Sequence, residues 1–192
     1  MKIILASKSP RRREILENLG FEFEVVTCDT DENCDLRDGG RLATELSARK
    51  AKAVAEMLFE DGKADGQTIV IGCDTVVICD DCILGKPRDK ADAERMMRML
   101  SGRGHSVVSG LTLICGDQVI SDHAETQVFF DELTDEEIED YISSDEPYDK
   151  AGGYGIQGKA GLFINRIEGC YYNVVGLPVN LLNRCLKKIS SK

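Results

Sequence analysis

Ser7, Ser9, Pro10 and three successive arginines, Arg11, Arg12 and Arg13, directly follow the apolar run Ile3–Ala6, in a chain whose net charge is −10. That order describes a buried strand entering the first turn of a helix. Ser9 suits the N-cap, Pro10 suits the first helical position, and Gly20 stops the helix after Leu19. A helix N-terminus offers unpaired N–H groups and the positive end of a dipole, so it can hold a phosphate. Serine hydroxyls and forked guanidinium groups add further donors. Successive helical residues point about 100° apart, so the three arginines cannot all reach one ligand. Arg11, nearest the strand end, is the first expected contact and Arg12 the second. A solvated arginine face is the plainer alternative.

Gly72-Cys73-Asp74-Thr75-Val76-Val77 embeds a carboxylate between apolar, β-forming flanks. Burying an ionised carboxylate costs several kcal/mol unless a cation, a metal or hydrogen bonds compensate. Asp74 is therefore either a functional carboxylate or a turn aspartate capped by its neighbours. Gly85-Lys86-Pro87 offers a cationic partner, with the Lys86 backbone kept extended by the proline, unless Lys86 is a solvated loop lysine. Lys50 lies among small residues at helical spacing, either turned inward to a cleft or part of a charged face. Asp31-Glu32, on the polar loop before that helix, offers carboxylates to a divalent cation. Gly153, Gly155 and Gly158 spell a G-x-G-x-x-G, but no strand precedes them and no helix follows, so a dinucleotide fingerprint is excluded. These glycines would instead let backbone approach a ligand, with Gln157 reading an amide-bearing base edge or simply exposed.

The elements that must position these groups alternate early and then form a meander. Strands are expected at Lys2–Ala6, Phe21–Cys28, Thr68–Cys73, Thr75–Cys79, Ser106–Cys115, Gln118–Phe130, Leu162–Ile167 and around Tyr171–Val175. Helices are expected at Pro10–Leu19, Gly40–Phe59, Lys90–Leu100, Asp135–Ser143 and Leu177–Ile189. The mixture predicts an α/β fold with a mixed sheet, in one domain of two lobes, with the polar loop Asp61–Gly66 as a candidate boundary. His105 and His123 fall in strands and are expected to be structural.

The 34 acidic residues against 24 basic ones argue against a nucleic-acid or membrane surface. A small anionic substrate would need a local positive site. Eight scattered cysteines predict reduced cytosolic thiols rather than a disulfide framework. Ile3–Ala6 is too short for a secretory or membrane segment. Cys79 and Cys82 flank Asp80-Asp81 without a second ligand pair, which predicts a hairpin turn rather than a zinc site.

Several stretches, in order from residue 5 to residue 178, resemble the Maf family of nucleoside triphosphate pyrophosphatases. They are Leu5-Ala6-Ser7-Lys8-Ser9-Pro10-Arg11-Arg12, Lys50-Ala51, Gly72-Cys73-Asp74-Thr75-Val76-Val77, Gly85-Lys86-Pro87, Leu100-Ser101-Gly102 with His105-Ser106-Val107, Ser144-Asp145-Glu146-Pro147 with Gly155-Ile156-Gln157-Gly158, and Tyr171-Tyr172-Asn173-Val174-Val175-Gly176-Leu177-Pro178. The resemblance implies a twisted mixed sheet flanked by helices, ITPase-like, in two lobes about a central cleft. It implies hydrolysis of the α–β phosphoanhydride, giving a monophosphate and pyrophosphate, with a divalent cation, Mg or Mn. Asp74 matches the proton acceptor, and Glu32, aligned by its distance from the first helix, would join Asp74 on the metal. Ser7, Arg11, Lys50 and Lys86 match phosphate contacts, while Arg11, Thr75 and Gln157 match positions tied to substrate choice. The Asp-Thr pair with Gly-Ile-Gln-Gly is similar to the branch acting on dTTP and UTP. A 7-methyl-GTP pyrophosphatase and a nucleotide-binding regulator of cell division are the competing readings. A cytoplasmic homodimer is a further implication.

Overall fold

The computed structural model describes residues 2–189. In chain order the elements are β1 (Ile3–Ala6), α1 (Pro10–Asn18), β2 (Glu24–Val25), α2 (Gly39–Glu60), β3 (Ile69–Cys79), β4 (Cys82–Leu84), α3 (Lys90–Leu100), β5 (Gly104–Cys115), β6 (Gln118–Phe130) and α4 (Asp135–Ile142). Three short 3-10 turns, Glu146–Asp149, Ala151–Gly153 and Lys159–Phe163, precede β7 (Ile164–Glu168), α5 (Tyr171–Val175) and α6 (Val179–Ile189). The strands form one seven-stranded mixed sheet in the order β2-β1-β3-β5-β6-β7, with β4 on β3. β1 runs parallel to both β2 and β3, whereas β3–β4 and β6–β7 are antiparallel. The described residues divide into two compact units, the first being 2–74, 109–124 and 176–189 and the second 75–108 and 125–175. The divisions fall inside β3, β5 and β6 and before Gly176, not in the polar loop 61–66, which lies within the first unit.

In the first unit, helix α2 lies directly on the strands. A Cβ on Gly72 would come within 2.2 Å of the Ser47 carbonyl oxygen, and one on Gly110 within 2.0 Å of the Ala43 carbonyl oxygen. Glycine in a strand here marks where another backbone approaches. Below that contact Ile4, Ala6, Ala51, Val54, Leu58 and Val70 form a buried cluster. Two buried hydroxyls complete the face, Ser47 pairing with Thr112 at 2.8 Å, and Thr112 also meets the exposed Ser121 at 2.9 Å. α2 begins one residue earlier than expected because Asp38, not Gly39, caps it, accepting from Arg41 N at 2.8 Å.

The second unit has its own core, in which Met96, Met97 and Leu100 of α3 meet Val107, Val128, Ile138, Tyr141 and Phe163. His105 is 2% exposed, shares a 2.6 Å hydrogen bond with the Tyr154 hydroxyl, and stacks edge-on against Phe130. Burial lowers its pKa to about 4. The unfolded chain takes up this proton near pH ~6.5, while the native state stays neutral. Stability from this group is thus intact above that pH and drains away as pH falls toward 4, by up to ~3 kcal/mol. The thermal midpoint should fall across that window, and His105→Phe should fall less. Equal slopes in the two proteins would contradict it.

Four sequence expectations are corrected. The Phe21–Cys28 run pairs only at Glu24 and Val25, because it is an edge strand whose single neighbour, β1, meets it only at Ile4 and Leu5. The runs on either side of Asp74 are a single strand, since Asp74 finds a side-chain partner instead of turning the chain. Leu162 lies in a 3-10 turn, and β7 begins at Ile164. Tyr171–Val175 is helical despite its valines: the turn drives Asn173 inward, where its amide donates to Val107 O at 2.9 Å and Thr126 Oγ1 at 3.0 Å. Pro178 separates this helix from α6. The Asp80-Asp81 hairpin turn is as expected, both residues having positive φ and Cys79 facing Cys82 in register.

Candidate active site

β1 ends at Ala6, whose register partner in β3 is Gly72. Ser7 therefore leaves the carboxyl end of β1 level with Cys73-Asp74, where β3 runs on past its shorter parallel neighbour; carboxyl ends of parallel strands are where open α/β sheets bind ligands. Ser7 is buried, and its Oγ accepts from Ser9 N at 3.2 Å, a hydroxyl turn that aims the chain into α1. Ser9 holds the N-cap position as expected, yet its own side chain makes no capping bond. Gly20 closes α1 with φ +75, with Gly20 N bonded to Glu17 O at 2.9 Å and Phe21 N to Leu16 O at 3.0 Å.

Arg12 is fastened to this strand end. Its Nη1 donates to Ser7 Oγ at 3.0 Å and its Nε to the Gly176 carbonyl at 2.8 Å. Arg12 precedes both buried anchors of α1, Ile15 and Leu16, by three and four residues, so it shares their face. Arg11 is half-buried on the same turn, and Arg13 points outward to Glu17. The Cys73 thiol also donates to Gly176 O, at 3.1 Å. Burial pushes that thiol's pKa up against the lowering effect of Arg12, so Cys73 is a packed S–H group and no nucleophile. Sequence reasoning gave Gly176 no role, although its carbonyl holds Arg12 in place.

Gly72 and Asp74 alternate onto the face that meets α2. The close seating of α2 on Gly72 brings Lys50, one residue before Ala51, to Asp74. The ammonium reaches Asp74 Oδ1 at 2.5 Å and Glu32 Oε1 at 2.8 Å. Burial works to lower the Lys50 pKa, but the two carboxylates outweigh it and the group sits above the ordinary lysine value. An ammonium has three donors, and these two contacts use two of them. The remaining one can meet an anionic oxygen.

Glu32 and Asp74 are the carboxylates the sequence assigned to a metal. They are hard oxygen donors of the kind Mg and Mn take, and such ions commonly use one or two carboxylates with substrate phosphates and water. The residues fit that mode, although Lys50 now pairs with both. They do not fit a cage supplied by protein alone, because no group of three or more His, Cys, Asp or Glu is placed to hold a metal among the described residues.

The other expected site residues belong to the second unit. Thr75 follows Asp74 in β3 and is half-buried. Lys86 is exposed beside the buried Pro87, on a segment tied down by Gly152 N donating to Gly85 O at 3.0 Å. Gln157 is exposed on the turn between Gly155 and Gly158.

The mixed α/β sheet gathers carboxylates and cations where β1 ends beside β3. The family model described as Maf-like protein matches residues 2–189, and the chain belongs to that family. Curated relatives named dTTP/UTP pyrophosphatase include one from Thermoanaerobacter sp. (strain X514), 46% identical over 98% of this chain and 96% of its own length. Another, from Bacillus anthracis (strain CDC 684 / NRRL 3495), is 44% identical over the same shares. The solved Staphylococcus aureus Ham1 protein superposes with a TM-score of 0.52 at 13% identity, covering 98% of this chain and 99% of that one. That likeness concerns fold alone. No helix among the described residues is long and apolar enough to cross a membrane.

Proposed function

We propose that this chain is a nucleoside triphosphate pyrophosphatase that hydrolyses the α–β phosphoanhydride of dTTP and UTP to the monophosphate and pyrophosphate. The observation that carries the reading is the Lys50 ammonium clasped between Asp74 and Glu32, at the strand end where Ser7 and Arg12 are also fixed. Phosphoanhydride hydrolysis asks for positioned water, cations on the developing phosphate charge and a proton acceptor, with little covalent work by the protein. Ser7, Arg11 and Arg12 bind phosphate oxygens at the start of α1. Lys50 and Lys86 neutralise charge on the leaving pyrophosphate. Asp74 takes the proton of the water that adds to phosphorus as the bond to the bridging oxygen breaks. Asp74 and Glu32 would hold Mg or Mn, which when bound shields the phosphate charge. Thr75 and Gln157 choose the base: a carboxamide carries both the donor and the acceptor that pair with the O4 and N3–H edge of uracil or thymine. The family resemblance also supports a cytoplasmic homodimer.

Pyrophosphate release measured with Mg across dTTP, UTP, dCTP, GTP and 7-methyl-GTP tests the reading. Turnover should be greatest with dTTP and UTP, one pyrophosphate per triphosphate. Release of orthophosphate alone, tight binding without hydrolysis, or a preference for 7-methyl-GTP would each overturn it.

A further inference from the structure

Gln157 sits at the tip of a turn, and its amide group exchanges donor for acceptor on rotating about its last bond. Such a side chain discriminates only when the backbone carrying it is held in one place. The turn is closed by Gly158 N on Gly155 O at 3.0 Å and continues into the 3-10 helix that starts at Lys159. That helix leaves its first N–H groups without partners inside itself. Glu146, thirteen residues upstream and half-buried, supplies them: Oε2 accepts from Lys159 N at 2.9 Å and Oε1 from Ala160 N at 3.5 Å. The Tyr141 hydroxyl donates to Oε1 at 3.3 Å and steadies the carboxylate. The fit is close enough that a Cβ on Gly158 would lie 2.0 Å from Oε1. Lys150 supports the other limb, since its Nζ donates to Glu146 O at 2.6 Å and its methylenes lie 2.8 Å from where a Gly155 Cβ would be.

We propose that Glu146 is a positioning residue for substrate choice, its carboxylate fixing the turn that presents Gln157 to the base. The inference rests on the role given to Gln157 above. A carboxylate bonded to successive backbone N–H groups is a charge-assisted anchor, stronger than a neutral one. Glu146→Gln keeps the shape and removes the charge, so the turn loosens while Asp74 and Lys50 are untouched.

Two measurements on the full chain separate the possibilities. Amide hydrogen exchange should quicken at Lys159 and Ala160 in Glu146→Gln. The ratio of kcat/KM for dTTP over dCTP should fall roughly tenfold, through KM more than kcat. In Gln157→Ala the ratio should fall as well, and adding Glu146→Gln to that variant should lower it no further. Gly158→Ala, which intrudes on the carboxylate without altering Glu146 or Gln157, should repeat both effects and serves if Glu146→Gln folds poorly. Unchanged exchange, or an equal fall with and without Gln157, would overturn the inference alone. An unchanged ratio in Gln157→Ala would overturn the reading of Gln157 and the inference with it, whatever the exchange shows.

Discussion

Asp74→Asn should yield a folded protein that releases pyrophosphate from dTTP at about a hundredth to a ten-thousandth of the normal rate, the range over which a positioned base contributes. Asparagine keeps the size of the side chain and an oxygen for Lys50, so circular dichroism and the thermal midpoint should change little. It loses the negative charge and with it the ability to take a proton from water. Glu32→Gln should cost much less. The Glu32 side chain is 62% exposed against 13% for Asp74, so water and salt screen its pull on the same ammonium. Lys50→Met should rank with Asp74→Asn, because it leaves Asp74 partly buried without its cation. Initial rates of the three variants with Mg and dTTP check the order. An Asp74→Asn enzyme within a fewfold of normal would remove Asp74 from the chemistry, and an effect of Glu32→Gln as large as that of Asp74→Asn would remove the argument from exposure.

The elements that sequence placed well are those whose ends carry their own chemistry. α3 starts at Lys90 because Asp89 accepts from Asp92 N at 2.8 Å, and α4 starts at Asp135 because Thr134 and Glu137 close a capping box. Those signals are local and survive any tertiary context. Tyr171–Val175 carries the opposite kind of signal, a weak β preference, and a buried asparagine amide overrode it. The length of β2 could not be read from Phe21–Cys28 at all, since it is set by where this edge segment meets β1, at Ile4 and Leu5 alone.

The site divides the same way. Asp74 stood out because a charge between apolar neighbours is an anomaly that sequence displays, Ser7 because it stands where a strand enters a helix, and Lys50 because it lies among small residues at helical spacing. The inward turn of Arg12 is a matter of helix phase, and its spacing to Ile15 and Leu16 held that information. The carbonyl of Gly176 and the carboxylate of Glu146 were hidden for a different reason. Each joins a side chain to distant backbone, the Gly176 carbonyl accepting from the Arg12 guanidinium across 164 residues and the Glu146 carboxylate from Lys159 N across 13, and a contact with main chain leaves no complementary residue type to notice.

Gly72→Ala should be among the most damaging single-methyl additions in the chain. Gly72 was singled out in sequence only as the start of the Asp74 stretch, yet its missing side chain is what lets α2 lie against β3. The added Cβ would stand 2.2 Å from the Ser47 carbonyl oxygen and 2.8 Å from both the backbone nitrogen and the Cβ of Ala51. Those neighbours are helix backbone and a methyl, none of which can swing aside, so the helix as a whole must lift. Overpacking of a rigid core costs typically ~1–3 kcal/mol, and the upper end applies where backbone is struck. At about 2–4 °C per kcal/mol for a chain of this size, the midpoint should drop by roughly 10 °C. Gly110→Ala, facing the Ala43 carbonyl at 2.0 Å on the neighbouring strand, should do the same. Gly66→Ala, with nothing within 4 Å of the new methyl, is the control and should leave the midpoint unmoved. Whatever Gly72→Ala protein remains folded should also be nearly inactive, because lifting α2 draws Lys50 away from Asp74. A midpoint within two or so degrees of the control, or a normal rate in the folded fraction, would show that α2 has slack at this crossing and that its height over β3 does not set the Lys50–Asp74 contact.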